Sequence, residues 1–316
     1  TTSLFSQNSS HGYLSNPRAQ VLQGLMFLMI YLGALTGNLL TVIAMVGDPH
    51  LHHPMYFFIG NLSFIDLCCI SVTVPKMIVN SLAGTKSISL PGCATQIFLV
   101  LFLVHAELAF LMAMSYDRYV AICHPLHYGL TMTPHLCLQA AGGSWASALV
   151  HSAIHTGVMF RLPFTESNMI HQYFCDISQI LRISSPDVQF SESVALVLSV
   201  CIALICSVFM IKTYIDIFSM VLRMHSLEAR NKALSTCTPQ LAILTLFVIS
   251  AVNAAFGPNA NKASLKNLLT AMFYTMVPPF INPIIYSLRN KEINTALRRM
   301  FNRCLAFQAG ILLIKQ

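Results

Sequence analysis

Apolar runs long enough to cross a bilayer recur seven times along this 316-residue chain, at 21–46, 55–80, 94–114, 139–160, 193–222, 235–256 and 268–288. A membrane helix needs about 20 such residues. Prolines interrupt the second run (Pro75), the sixth (Pro239) and the seventh (Pro278, Pro279 and Pro283). A helix bundle tolerates them because neighbouring helices satisfy the freed carbonyls. The pattern predicts an all-α membrane protein, a bundle of seven transmembrane helices. Residues 1–20 form a polar N-terminal segment and 289–316 a tail.

Composition agrees. Charged residues make up 9% of the chain and hydrophobic ones 55%. A soluble domain carries about 25% charged residues. The formal charge of +7 is better explained by cytoplasmic Lys and Arg than by nucleic-acid binding. With the N-terminus outside, eleven of the 18 Lys and Arg face the cytoplasm. Residues 1–20 lack the basic and apolar regions of a cleavable signal, so the first span is expected to act as an uncleaved one. Asn8-Ser9-Ser10 is a glycosylation sequon on the same outer side. A second sequon, Asn61-Leu62-Ser63, lies within a span and is expected to stay unmodified.

With this topology only Cys93 and Cys175, of ten cysteines, face the oxidising side. A disulfide between them would tie the long outer loop to the third helix. Asp66 and Glu107 read as the only carboxylates at membrane depth, and intramembrane ionisable groups mark functional sites. They either hold a cation together or share a proton, or belong to a structural hydrogen-bond network with Asn38, Ser63 and Asn282. His151 and His155, four apart on the fourth helix, have metal-ligand spacing, with polar packing as the plainer reading. In the tail, Ile293, Ala296, Leu297, Met300, Phe301 and Cys304 recur at helical spacing between Arg298, Arg299 and Arg303. That predicts a short amphipathic eighth helix on the inner leaflet, with Cys304 a candidate for palmitoylation.

Four motifs sharpen this picture: "PMYFFIGNLSFIDLC" (54–68), "MAMSYDRYVAICHPLHY" (112–128), "KALSTCTPQL" (232–241) and "PPFINPIIYSLRN" (278–290). Together they resemble the tetrapod-type (class II) olfactory receptors, rhodopsin-like G-protein-coupled receptors, over about residues 16–301. The resemblance implies a non-enzymatic receptor in the plasma membrane of olfactory cilia. Its ligands would be small, volatile, mostly apolar odorants, and its partner a stimulatory olfactory G protein that raises cyclic AMP. It implies coupling roles for Asp117, Arg118, Tyr119, Tyr214, Lys232 and Tyr286. Arg118 would meet the G protein once the sixth helix swings out, with Asp117 restraining it at rest; otherwise it is an interfacial Arg that snorkels. It also implies a sodium site at Asn38, Asp66, Glu107 and Asn282, the one metal expected, and no other cofactor.

The ligand pocket is expected between the outer halves of the helices, apolar with few polar handles. Val100, Leu101, Val104, His105 and Leu108 would line it from the third helix and Ser199 and Ile202 from the fifth. Val252, Asn253 and Phe256 would do so from the sixth, and Met272 and Thr275 from the seventh. His105 is the main polar handle. Val100 stands where amine receptors carry an acid, so a cationic amine would lack a buried partner. Pro239-Gln240 departs from the Ser-His of the resembled family. A transporter would show internal repeats and an intramembrane metalloprotease a His-Glu-x-x-His; the sequence has neither.

Overall fold

The computed structural model describes residues 4–7, 17–83, 87–160, 169–170, 186–256 and 265–314, without side chains at 251–274 and beyond 302. Each apolar run lies in a helix: α1 (Pro17–Gly47), α2 (Pro54–Ala83), α3 (Leu90–Cys123), α4 (Pro134–Met159), α5 (Pro186–Arg223), α6 (Leu227–Phe256) and α7 (Leu265–Arg289). The tail forms α8 (Lys291–Ile314). The helices outrun their apolar cores. α3 continues to Cys123, which puts Asp117-Arg118-Tyr119 on its last turns. α5 begins at Pro186, which brings Glu192 into the bundle.

Local chemistry sets the starts. The Ser89 hydroxyl accepts from the Gly92 amide at 3.2 Å, and Thr133 caps α4 by accepting from Leu136 at 3.2 Å. Pro91 and Pro134 sit in first turns, where a missing N–H costs nothing. Among the described residues α1, α2, α3, α5 and α6 are long and apolar enough to cross a membrane on their own. α4 is not, because serines and histidines dilute it. Ser144 and Ser152 return their hydroxyls to carbonyls of their own helix at 2.8 and 3.1 Å.

α3 runs through the centre and touches α2, α4, α5 and α6, while α1 packs on α2 and α7. The single tryptophan, Trp145 on α4, packs on Phe102 with ring centroids 5.3 Å apart and edge-on to Phe110 at 5.7 Å. Its indole N–H donates to Asn61 Oδ1 at 3.3 Å. The side chain of the second sequon is thus engaged inside the bundle, on the helix where modification was not expected.

The α1–α7 contact follows from one proline. Pro283 has no N–H, so the carbonyl of Pro279, four residues back, loses its helical partner. Asn38, fully buried, donates to that carbonyl at 2.7 Å. Gly37 lets the backbones approach: a Cβ there would meet Pro283 Cβ at 3.0 Å. Replacing Asn38 with Ala leaves a buried carbonyl unpaired, at a cost of about 1–3 kcal/mol. Thermal unfolding of detergent-solubilised receptor is expected to show a lower midpoint for Asn38→Ala; an unchanged midpoint would mean that the carbonyl has another partner.

Hydropathy gave no sign of a small sheet at the outer end. Strand β1 (Leu4–Gln7) pairs antiparallel with β2 (Ser87–Ser89), Phe5 opposite Ile88. It pairs parallel with β3 (Met169–Ile170), Ser6 opposite Met169. The N-terminal segment therefore joins the α2–α3 and α4–α5 connections. Cys93, buried near the start of α3, is disulfide-bonded. Its expected partner Cys175 and the sequon Asn8 lie outside the described residues.

At the inner end, α8 buries Ile293 and Ala296 and exposes Phe301. Arg299 on α8 reaches Asp48 after α1, with Nε and Nη2 at 2.9 and 2.8 Å from Oδ2. The helix continues through the apolar tail to Ile314. Partial burial alone would raise the Asp48 pKa, but the His50 amide, at 3.1 Å, and Arg299 outweigh it and hold the carboxyl below its usual value. A depressed folded pKa means that the contribution is present above the ordinary carboxylate range and is lost as pH falls through the folded value. Unfolding curves of wild type and Asp48→Asn should therefore differ at neutral pH and converge in acid. A gap that persists at low pH would remove the charge from the explanation.

Candidate functional site

Three polar clusters sit at successive depths along α3. The innermost centres on the buried Asp117. Arg118 Nε donates to its Oδ2 at 2.9 Å, and Nη2 bonds the same oxygen. The phenol of Tyr128, on a one-turn helix after α3 (Tyr128–Thr131), donates to Oδ1 at 2.8 Å. Burial and the adjacent Asp117 carboxylate push the Tyr128 phenol up, so it stays a donor at physiological pH. Tyr119 instead bonds His124 at 3.2 Å.

Beside this cluster is a cavity of about 650 Å³, lined by Tyr56, Met114, Lys232, Gln240, Tyr286 and Glu292 among others. Tyr214 and Tyr286 are buried, and among the described residues neither phenol oxygen has a partner within hydrogen-bond distance, with Ser115 close to that of Tyr214. Gln240 is buried too. Its Nε2 donates to Ser115 Oγ at 3.2 Å and, more weakly, to Leu111 O at 3.4 Å, which ties α6 to α3. The cytoplasmic side thus holds Arg118 captured, α6 tied in and two tyrosines unengaged.

The middle cluster joins α1, α2, α3 and α7. Asn282 donates to Asp66 Oδ2 at 2.9 Å. Glu107 is buried near enough to Asp66 for the two acids to interact. Among the described residues Asn38 Oδ1, Ser63 Oγ and Asn282 Oδ1 are buried oxygens without partners.

The outermost cluster spans α3, α4 and α5. His105 lies against His151 with ring centroids 4.4 Å apart, and His151 against His155 at 4.5 Å. Ser199 on α5 meets His151 Nε2 at 2.9 Å and His155 Nε2 at 2.8 Å. His155 Nδ1 lies 2.5 Å from Glu192 Oε1. Glu192 is fully buried and corrects the reading that Asp66 and Glu107 are the only acids at this depth. It was missed because the apolar run was started at Ser193. The signal that could have found it is its spacing of seven from Ser199, two turns along one helix face. The His151–His155 spacing is spent on Ser199 and Glu192.

The other expected pocket residues are placed unevenly. Val100, Leu101 and Leu108 are half-buried and Thr275 is buried. Val104 and Ile202 are exposed, by 40% and 48%. The side chains of Val252, Asn253, Phe256 and Met272 lie outside the described residues.

A family model described as olfactory receptor matches residues 27–304. The chain is 52% identical to human olfactory receptor 14I1 over 282 residues, 89% of this chain and 91% of that one. It is 44% identical to human olfactory receptor 14C36, with 90% and 91% covered, and 40% identical to mouse olfactory receptor 1E16, with the same coverage. Among solved structures, squid rhodopsin superposes with a TM-score of 0.68 over 95% of this chain and 91% of its own, at 17% identity.

Proposed function

Because the chain belongs to the olfactory receptor family and carries the rhodopsin-like G-protein-coupled receptor fold, we propose that it converts the binding of a small volatile odorant into activation of a stimulatory olfactory-type G protein, raising cyclic AMP. It is a multi-pass membrane receptor and not an enzyme: it accelerates nucleotide exchange on a partner and makes no covalent bond itself. Ciliary membranes of sensory neurons are its proposed location.

The observation that carries this reading is that one helix, α3, bears both ends of the device. His105 faces the buried cluster toward its outer end, and Asp117-Arg118 lies beside a cytoplasmic cavity at its inner end. Ligand shifts populations only by binding two arrangements differently. Odorant at the α3–α5 face would favour an arrangement in which α6 leaves α3, Arg118 is freed, and Tyr214 and Tyr286 find partners. The proposed pocket keeps His105 and Ser199 as polar handles among Val100, Leu101 and Leu108.

A sodium ion fits the middle cluster. Three buried oxygens without partners and two acids form an all-oxygen donor set suited to a hard cation. Asp66 and Glu107, with Asn38 and Asn282 and the nearby Ser63, would hold it, and its charge would offset the acids.

The direct test is cyclic AMP in cells that express this chain with the stimulatory olfactory G protein, across a panel of volatile odorants. Responses weakened at least tenfold by His105→Ala at matched surface expression are expected. Responses indifferent to that change would move the ligand elsewhere.

A further inference from the structure

Proton bookkeeping in the outer cluster assigns a chemical class to the ligand. Ser199 has one hydroxyl proton and gives it to the Ala195 carbonyl one turn back, at 3.0 Å. Its oxygen can then only accept, and it has two lone pairs to do so. Both imidazoles that meet it, His151 and His155, must therefore donate from Nε2.

For His151 this fixes the tautomer. A neutral ring that donates from Nε2 carries a bare lone pair on Nδ1, and that nitrogen is buried without a partner among the described residues. For His155, Nδ1 and Glu192 Oε1 share one proton across 2.5 Å. Whichever atom holds it, the pair is neutral overall and Glu192 Oε2 is left as an acceptor. It too is buried without a partner among the described residues, on a side chain with no exposed surface.

The buried part of the cluster, His151, His155, Ser199 and Glu192, thus ends in two open acceptors and no open donor, while the half-buried His105 keeps one ring N–H. Unpaired buried acceptors are costly, and their dehydration is already complete. A donor that reaches them gains a hydrogen bond without stripping water from the protein. A group that only accepts can use the His105 N–H but meets two lone pairs at Glu192 and His151, whereas a hydroxyl can serve both. The His105 and His151 rings are both only half-buried, so they form the more open side of the cluster.

We propose that Glu192 and His151 read a ligand hydroxyl, so that this receptor prefers alcohols to the aldehydes, ketones and ethers of the same carbon skeleton. The inference rests on the reading that odorant binds at the α3–α5 face. Glu192 becomes a specificity-determining residue that the hydropathy pattern had placed outside the span. It also supplies the buried acid whose absence had counted against amines. An ammonium would nevertheless add charge to a cluster that is already neutral, so the hydroxyl is the better match.

The test is a set of concentration–response curves in cells for matched alkanols, aldehydes, methyl ethers and primary amines, at equal surface expression. The wild-type receptor alone decides the first point. Alkanols should act at concentrations roughly tenfold to a hundredfold below their methyl ethers, the worth of a hydrogen bond to a charged or strongly polar group. Glu192→Leu removes the open acceptor at nearly constant volume, whereas Glu192→Gln would turn its NH2 to the bare Nδ1 of His155 and keep an acceptor in place. The Leu variant should lower alkanol potency toward that of the methyl ethers, and His151→Asn provides a second, independent change. The proposal is overturned if ethers or aldehydes equal the alkanols, if amines exceed them, if no alkanol acts, or if the alkanol preference survives both substitutions. If His105→Ala, Glu192→Leu and His151→Asn all leave every response unchanged, the pocket itself is elsewhere. Responses that change while the preference does not would sink only the hydroxyl reading.

Discussion

Arg118→Ala abolishes ligand-stimulated nucleotide exchange while ligand affinity and surface expression stay near those of the wild type. The expectation follows from where the guanidinium sits and what holds it. Its side chain is 12% exposed and that of Asp117 1%. Both bonds of the guanidinium in this arrangement go to one carboxylate oxygen. Arginine keeps its charge and presents donors in a fixed fork, so once Asp117 releases it the fork can serve carbonyls of a partner that enters the cavity. Hydrogen bonds to a charged group are worth about 1.5–3 kcal/mol each. Loss of two such bonds would slow exchange by at least roughly a hundredfold. Ligand binds some turns away on the same helix, so its affinity should change little. Radioligand binding beside an exchange assay separates the two quantities. Loss of binding together with exchange would mean that Arg118 holds the fold and not the partner.

Gln240→Ala raises signalling without ligand. Gln240 stands at a departure from the motif that this chain otherwise resembles, and the structure gives the residue a task. It bonds Ser115 Oγ and Leu111 O, one turn above the Asp117-Arg118 pair. An outward swing of α6 must break that link, so the link stabilises only the tied arrangement. A net worth of about 1 kcal/mol for a buried hydrogen bond shifts the resting balance by roughly fivefold. Cyclic AMP in the absence of odorant, scaled to surface receptor, should rise by about that factor. A fall or no change would show that Gln240 does not discriminate between the arrangements.

Much of this was legible in the sequence for physical reasons. Burying seven runs in lipid leaves only helices as an option, so the hydropathy pattern and the motifs placed α1 to α7. Proline chemistry made α7 depend on a neighbour, and Asn38 was already among the candidate polar residues. Asp117 and Arg118 were identified because charge is scarce at the end of an apolar helix. Helix ends were less legible, since caps such as Ser89 and Thr133 act at single residues, beyond what a hydropathy window resolves. That hid Glu192, one residue outside its run. The partnership of His151 and His155 with α5 was hidden too. It arises where two helices meet, and no periodicity within either one encodes the other's register. The β1–β2–β3 sheet pairs segments far apart in sequence and too short to carry a pattern. α4 shows the converse: its polar residues weaken it as a membrane helix, the histidines because they serve α5 and the serines although they bond only their own helix.

The central claim is that ligand on the outer half of α3 controls nucleotide exchange at its inner end through Arg118. It is tested most directly with purified full-length receptor in lipid nanodiscs, a stimulatory heterotrimeric G protein and an activating alkanol, measuring GTP uptake by the G protein with and without ligand. The account predicts ligand-accelerated uptake by the wild type, none above background by Arg118→Ala, and raised ligand-free uptake by Gln240→Ala. Equal acceleration in wild type and Arg118→Ala would contradict it.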